Sequence, residues 1–152
     1  GCDPLLIARR LVVHSAEDVG LADPNALVVA TNALVAFEKL GLPEGLIPLS
    51  EAIIYVAEAE KSNTVVEAMY SAGADAEKVK DDNIPPHLKN YEFASKEDKL
   101  NKLQYKYPHD FGGYVEQQYL PDELKDKVYY APKNNGYENV IKEIRKRKGK
   151  KV

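Results

Sequence analysis

The sequence holds no tryptophan, a single methionine and a single cysteine in 152 residues. One thiol, Cys2, excludes an internal disulfide framework and any metal site built from clustered cysteines. Long apolar runs are missing too: the longest are a few residues, against the roughly 20 that a membrane-spanning helix needs. Nor is there an excess of positive charge. Lysine and arginine number 21 against 24 aspartates and glutamates, a formal net charge of −3 with a pI near 5.7, which excludes a globally basic nucleic-acid binder. The nucleotide and hydrolase signatures are absent: no G-x-x-x-x-G-K-S/T, no G-x-G-x-x-G, no G-x-S-x-G and no H-E-x-x-H occurs. Gly149-Lys150 stands in a basic tail without a glycine-rich loop before it. No segment of the first half alternates apolar and polar residues with period two, so strands are not expected there. The chain opens on Gly1 with no charged-then-apolar leader, which reads as a processed or excised piece of something larger.

What is present is a globular composition, 44% hydrophobic and 30% charged, of a length that suits one ordinary domain. Residues 3–82 read as four consecutive helices. Asp3-Pro4 offers an N-cap followed by proline at the first helical position, where a missing N–H does no harm. Leu5, Ala8, Leu11, Val12 and Val19 follow at helical spacing, and Gly20 stops the run. Asp23-Pro24 repeats the signal ahead of Ala26 to Leu40, a segment apolar on almost every side and expected at the centre of a bundle or in a subunit contact. A third helix is expected from Pro48 to Glu60, and a fourth from Ser62-Asn63 to about Asp82.

The second half changes character. Eight of the ten tyrosines lie at or after Tyr91. Residues 83–135 read as an irregular wrap, extended at Ile84-Pro85-Pro86-His87, with a short helix over Ser95 to Leu103 and helical turns within Pro121 to Lys127. Tyrosine suits such a wrap because its ring packs while its hydroxyl finds a polar partner. A final basic helix is expected over 136–150. Residues 142–152 carry seven basic residues and one acid, a local +6 that leaves −9 for the rest. Lys142, Arg145, Lys146, Arg147 and Lys148 are therefore candidates for DNA phosphate contact, weighed evenly against a solvated helix end that the dipole favours for cations.

Three histidines invite a chemical reading. His14 lies beside Arg9, Arg10, Glu17 and Asp18, where a salt-bridged surface role is expected. His87 with His109-Asp110 could supply two imidazoles and a carboxylate to a metal, but the diagnostic ligand spacing is missing, and bonding to backbone groups is favoured. Adjacent on a helix, Glu17 and Asp18 point in different directions and do not read as a paired acid–base site. No catalytic residue and no metal site is assigned. Tyr105-Lys106-Tyr107-Pro108-His109-Asp110 mixes aromatics with balanced charge, which favours packing over base stacking.

An ordered set of segments carries a resemblance. It comprises Asp3-Pro4-Leu5 with Ile7-Ala8-Arg9-Arg10-Leu11, Glu17 to Pro24, Ala52 to Ala57, Lys61-Ser62-Asn63 and Pro86 to Asn90. It continues through Tyr105 to Asp110, Gly113-Tyr114-Val115, Gln117, Tyr119-Leu120-Pro121, Tyr129-Tyr130, Pro132 and Gly136-Tyr137-Glu138. Together these resemble the C-terminal part of the RarA/MgsA proteins, relatives of the Werner helicase-interacting protein and clamp-loader-like AAA+ ATPases of replication-associated recombination. Ser15-Ala16 and Glu60 depart from the family's usual Ala-Ser and Pro. The resemblance implies an all-α domain like the clamp-loader oligomerisation collar, assembling the protein into homotetramers. It implies ATP and Mg for the full-length protein and no cofactor in this piece. It further implies DNA, single-strand-binding protein and other replication proteins as partners, no membrane, and a cytoplasmic, nucleoid-associated location. Arg9, Arg10, Glu17, Asp18, Lys61, His87, Tyr107, His109, Asp110 and Tyr114 match family positions to which no role is transferred.

Overall fold

The computed structural model describes residues 1–79, 83–89, 95–97, 100 and 105–150. Five α-helices run through them: α1 Pro4–His14, α2 Asn25–Leu40, α3 Leu46–Glu58, α4 Thr64–Ala76 and α5 Tyr137–Arg147. The fold is all-α, with no strand among the described residues.

The start signals work through the atoms expected of them. The Asp3 carboxylate accepts from the Leu5 N–H at 3.0 Å, and that of Asp23 accepts from the Asn25 N–H at 3.0 Å. A second oxygen of Asp23 accepts the Tyr55 hydroxyl at 2.8 Å, fixing the start of α2 to the flank of α3. Past His14 the first helix widens into one π turn, Ser15–Val19, before a 3₁₀ turn at Gly20–Ala22. The fourth helix ends at Ala76, short of the expected Asp82, and the end of that expected run lies outside the described residues. So does most of the short helix expected over Ser95 to Leu103. The turns expected within Pro121 to Lys127 form as one 3₁₀ turn, Asp122–Leu124.

The packing of α2 corrects the expectation of a buried centre. This helix lies against both α1 and α3, yet it buries only Ala26, Ala30 and Ala33, while Leu27, Val28 and Val35 stay exposed. The buried hydrophobic residues are Ala8, Val19, Ala22, Ala26, Ala30, Ala33, Leu49, Ala52 and Val56, and alanine dominates them. Small side chains let helix backbones approach closely. They also return little on burial, because the hydrophobic gain scales with apolar area. Several large side chains face outward: Ile47 is 71% exposed and Ile54 64%, seven residues apart on one face of α3. Val28 and Val35 repeat that spacing on α2.

Two glycines allow close backbone approach, one within the bundle and one between it and α5. Gly20 (φ +51°) follows the π turn, and a Cβ there would lie 2.8 Å from the Ser62 carbonyl oxygen. Gly136 (φ +50°) opens α5, where a Cβ would lie 2.2 Å from the Ala22 carbonyl oxygen. Both positions need a left-handed backbone and direct backbone-to-backbone contact, which glycine alone supplies without strain.

Candidate functional site

Segments distant in sequence converge where the π turn, the α3–α4 connection and the start of α5 come together. The Ser62 N–H donates to the Asp18 carbonyl at 2.8 Å. The Lys61 ammonium donates to the carbonyls of Val56 (2.9 Å), Ala57 (3.2 Å) and Ala59, satisfying acceptors left open at the end of α3. Asn135 Nδ2 donates to the Lys61 carbonyl at 2.8 Å. At the centre sits Glu138, 0% exposed. One of its oxygens accepts from Ser62 Oγ (2.9 Å) and the Lys133 N–H (3.0 Å); the other accepts from Thr64 Oγ1 and the Tyr130 hydroxyl (3.2 Å). Burial pushes the Glu138 carboxyl up, and these four donors outweigh it, holding the group below the usual carboxylate range. The Tyr130 hydroxyl is pushed up to about 12 by burial and by the neighbouring Glu138 charge, so it stays a donor at neutral pH.

A second carboxylate does similar work. Asp75, near the end of α4, meets Lys127 at 3.0 Å, Lys78 at 3.6 Å and the Tyr129 hydroxyl at 3.3 Å. The hydrogen bond from Lys127 holds its carboxyl below the ordinary value, against the opposing effect of burial. Lys133 adds a third tie, to Glu67 at 3.0 Å and to Asn63. The tyrosine-bearing segment is thus bound to α4 and to residues 61–64 by charge and hydrogen bonds.

Beside the Glu138 knot opens a cleft of about 660 Å³, walled by Leu11, Ile53, Val56 and Ala57 and rimmed by His14, Asp18, Lys61 and Lys133. His14 Nδ1 meets Asp18 Oδ2 at 2.6 Å, an exposed i,i+4 pair that the π turn brings into register. Glu17 lies near both; with His14 and Asp18 it forms the group of potential metal ligands found among the described residues, all three exposed. The polar groups of the rim are engaged within the fold: Lys61 with carbonyls, His14 with Asp18, Lys133 with Glu67.

Of the other residues singled out from the sequence, Arg9 and Arg10 are exposed on α1. His87 Nε2 lies 2.8 Å from the Gln118 carbonyl, the backbone role expected of it. His109 packs on the Tyr107 ring at 5.0 Å, and Asp110 is exposed in the 3₁₀ turn Pro108–Phe111. The Tyr114 hydroxyl donates to Glu116, which pushes it up to about 12. The basic helix does not act as one surface. Lys142 bonds Asn134, Lys146 pairs with Glu143 at 2.8 Å, and Arg145 turns inward over the Tyr130 ring at 4.8 Å. Arg147 and Lys148 remain exposed, with no acidic partner among the described residues. Sequence reading passed over Thr64, Lys133 and Asn135, although the Ser62 and Glu138 that they join stand in the family segments.

The family model described as MgsA AAA+ ATPase C terminal matches residues 1–148. The chain belongs to that family. It is 43% identical over 140 residues to replication-associated recombination protein A of Bacillus subtilis (strain 168), covering 91% of this chain and 33% of that protein. To the protein of the same name in Escherichia coli (strain K12) it is 39% identical over 145 residues, 94% of this chain and 32% of the relative. A eukaryotic relative, ATPase WRNIP1 of Dictyostelium discoideum, is 34% identical over 135 residues, 88% of this chain and 15% of its own length. The chain spans about a third of the length of the bacterial relatives it matches. The MgsA C-terminal unit described here has no helix long and apolar enough to cross a membrane among its described residues.

Proposed function

We propose that this unit is the assembly module of a replication-associated recombination ATPase, joining copies of itself into a closed homotetramer. One observation carries the reading: the interior is built largely of alanine, while Ile47, Ile54, Val28 and Val35 point away from it. Burying a large aliphatic side chain is worth about 1.5–3 kcal/mol. A second copy of the same surface, presented by a symmetry operator, covers such faces in both molecules at once. Relatives named as replication-associated recombination proteins support a site of action at DNA, with a clamp-loader-like collar as the arrangement this unit would form. ATP and Mg²⁺ belong to the rest of the longer protein under this reading. The chain has no glycine-rich loop of the kind that cradles a nucleoside triphosphate's phosphates. Single-strand-binding protein and other replication proteins are its expected partners, in the nucleoid. The test is light scattering on the 152-residue chain. Oligomers at micromolar concentration support the reading, and a strict monomer rejects self-assembly by this unit.

Contact with DNA phosphates through the basic helix is the second reading. Exposed Arg147 and Lys148 favour it, while Lys142 and Lys146 already have partners. Charge removal at Arg147 and Lys148 should then weaken duplex binding and flatten its salt dependence.

A further inference from the structure

We propose that the cleft between the tyrosine-bearing segment and α5 binds single-stranded nucleic acid, stacking exposed bases on tyrosine and neutralising phosphates with Lys125, Arg145 and Lys150. The cleft has a volume of about 620 Å³, and its lining includes Tyr114, Tyr119, Tyr129, Tyr130 and these three cations. That volume falls within the roughly 300–1,000 Å³ of ligand-binding clefts.

Each tyrosine is anchored by its hydroxyl. Tyr114 donates to Glu116, Tyr119 to the Val115 carbonyl (3.1 Å), Tyr129 to Asp75 and Tyr130 to Glu138. The polar ends are therefore spoken for and the rings held in place; cations already lie over Tyr130 and Tyr114, so the first base stacks on Tyr119. A platform set before the ligand arrives loses little conformational freedom on binding. Tyr119 is the open one, 44% exposed.

The cations stand among these rings. Arg145 lies over Tyr130 at 4.8 Å, its guanidinium also donating to the Tyr130 carbonyl at 3.2 Å; arginine planes take stacked bases as aromatic rings do. Lys150 lies 5.5 Å from the Tyr114 ring centre. Lys125 has no acidic partner among the described residues. Lys127, also in the lining, is committed to Asp75. Against these stand two carboxylates, Glu116 and Asp126, the first already engaged by Tyr114.

Aromatic faces interleaved with cations match a strand whose bases are unstacked and whose phosphates are regularly spaced. A duplex hides its base faces and shows proteins only edges and phosphates. An acidic peptide would use the cations and leave the rings unemployed. The proposal thus differs from phosphate contact by the outer face of α5, and its failure is separable from failure of that reading.

The experiment is fluorescence anisotropy with a labelled oligothymidylate of about 15 nucleotides, a duplex of equal length, and the whole chain at two salt concentrations. Preference for the single strand by tenfold or more is expected. Tyr119→Ala should weaken single-strand binding about tenfold, and Tyr119→Phe, which keeps the ring, should retain most of it. Lys125→Glu, at an exposed position with no partner to lose, should weaken binding and lower the slope of log K against log salt by about 0.7 or more. Circular dichroism confirms that each variant keeps its helices. Equal binding of duplex and single strand, loss of duplex and single-strand binding alike in Tyr119→Ala, or no response to that change would overturn the proposal. So would the absence of binding at 100-fold molar excess of protein, or displacement of the oligonucleotide by a glutamate-rich peptide whose own affinity is unchanged in Tyr119→Ala.

Discussion

Replacing Glu138 separates charge from shape at the point where the C-terminal helix meets the bundle. In Glu138→Gln the amide can turn its NH₂ toward Thr64 and Tyr130, whose hydroxyls can rotate to accept. Its oxygen then keeps the Ser62 hydroxyl and the Lys133 N–H, a donor that cannot reverse. All four contacts survive, but as neutral bonds. Charge-assisted bonds contribute about 1.5–3 kcal/mol and neutral ones about 0.5–1.5 kcal/mol; the difference over four bonds is partly offset because a buried amide costs less to desolvate than a carboxylate, and the expected net loss is about 1–3 kcal/mol. Glu138→Ala removes the acceptor altogether and strands the Lys133 N–H, for an expected loss of about 2–5 kcal/mol. At this chain length each kcal/mol lowers Tm by about 2–4 °C, which puts the glutamine variant roughly 2–12 °C and the alanine variant roughly 4–20 °C below the parent. The sign with pH follows from the depressed carboxyl. Its stabilisation is present above the unfolded value near 4.3 and is lost as pH falls through the lower folded value. Thermal and urea melts at one fixed protein concentration, from pH 7 to pH 3, measure both effects. The glutamine variant should lose less stability on acidification than the parent. Parent-like stability of both variants at pH 7 would refute this account of the knot, as would an unchanged acid profile in Glu138→Gln.

Gly136→Ala and Gly20→Ala should each destabilise by more than about 1 kcal/mol, because each adds a Cβ inside a backbone contact at positive φ; Gly73→Ala, on open helix surface, should be neutral or stabilising by up to about 1 kcal/mol. A melt of the three variants decides this. Asp75→Asn should loosen the segment around Tyr129 without unfolding the bundle, visible as faster amide exchange at residues 127–130, and acidification of the parent should act in the same direction since the Asp75 carboxyl is held low. Asp23→Ala removes both a helix cap and the Tyr55 partner and should cost about 1–3 kcal/mol in a urea melt.

Local chemistry was legible in the sequence where a residue acts on its own neighbours. Asp3 and Asp23 cap the helices that follow them, Gly20 and Gly41 stop the runs before them, and His14 pairs with Asp18 four positions on. Tyr114, Tyr119, Tyr129 and Tyr130 of the second half do have their hydroxyls engaged. The apolar run in α2 left bundle centre and subunit contact both open, because composition records how much of a helix is apolar, not which of its faces has a neighbour. Here the neighbours are α1 and α3, and they fully bury only the alanine stripe. Nothing close to Glu138 in the sequence marks it for burial, since the donors that bury it lie as far as 76 positions away. The basic tail likewise read as one patch, yet Arg145 and Lys150 turn to tyrosines while Arg147 and Lys148 face water, a division set by where the wrap crosses α5.

The outward isoleucines of α3 are the most direct handle on assembly. Each retains about two-thirds of its surface in solvent, so covering it is worth about 1–2 kcal/mol per copy. An aspartate in its place replaces that gain with the cost of desolvating a charge. Size-exclusion chromatography with multi-angle light scattering on the chain and on Ile47→Asp/Ile54→Asp is the measurement. The parent is expected at four times the 17.0 kDa chain mass at micromolar concentration, and the double variant at one chain mass with unchanged helical circular dichroism. A parent that runs as a monomer, or a double variant that stays fully assembled, would contradict an assembly face on α3.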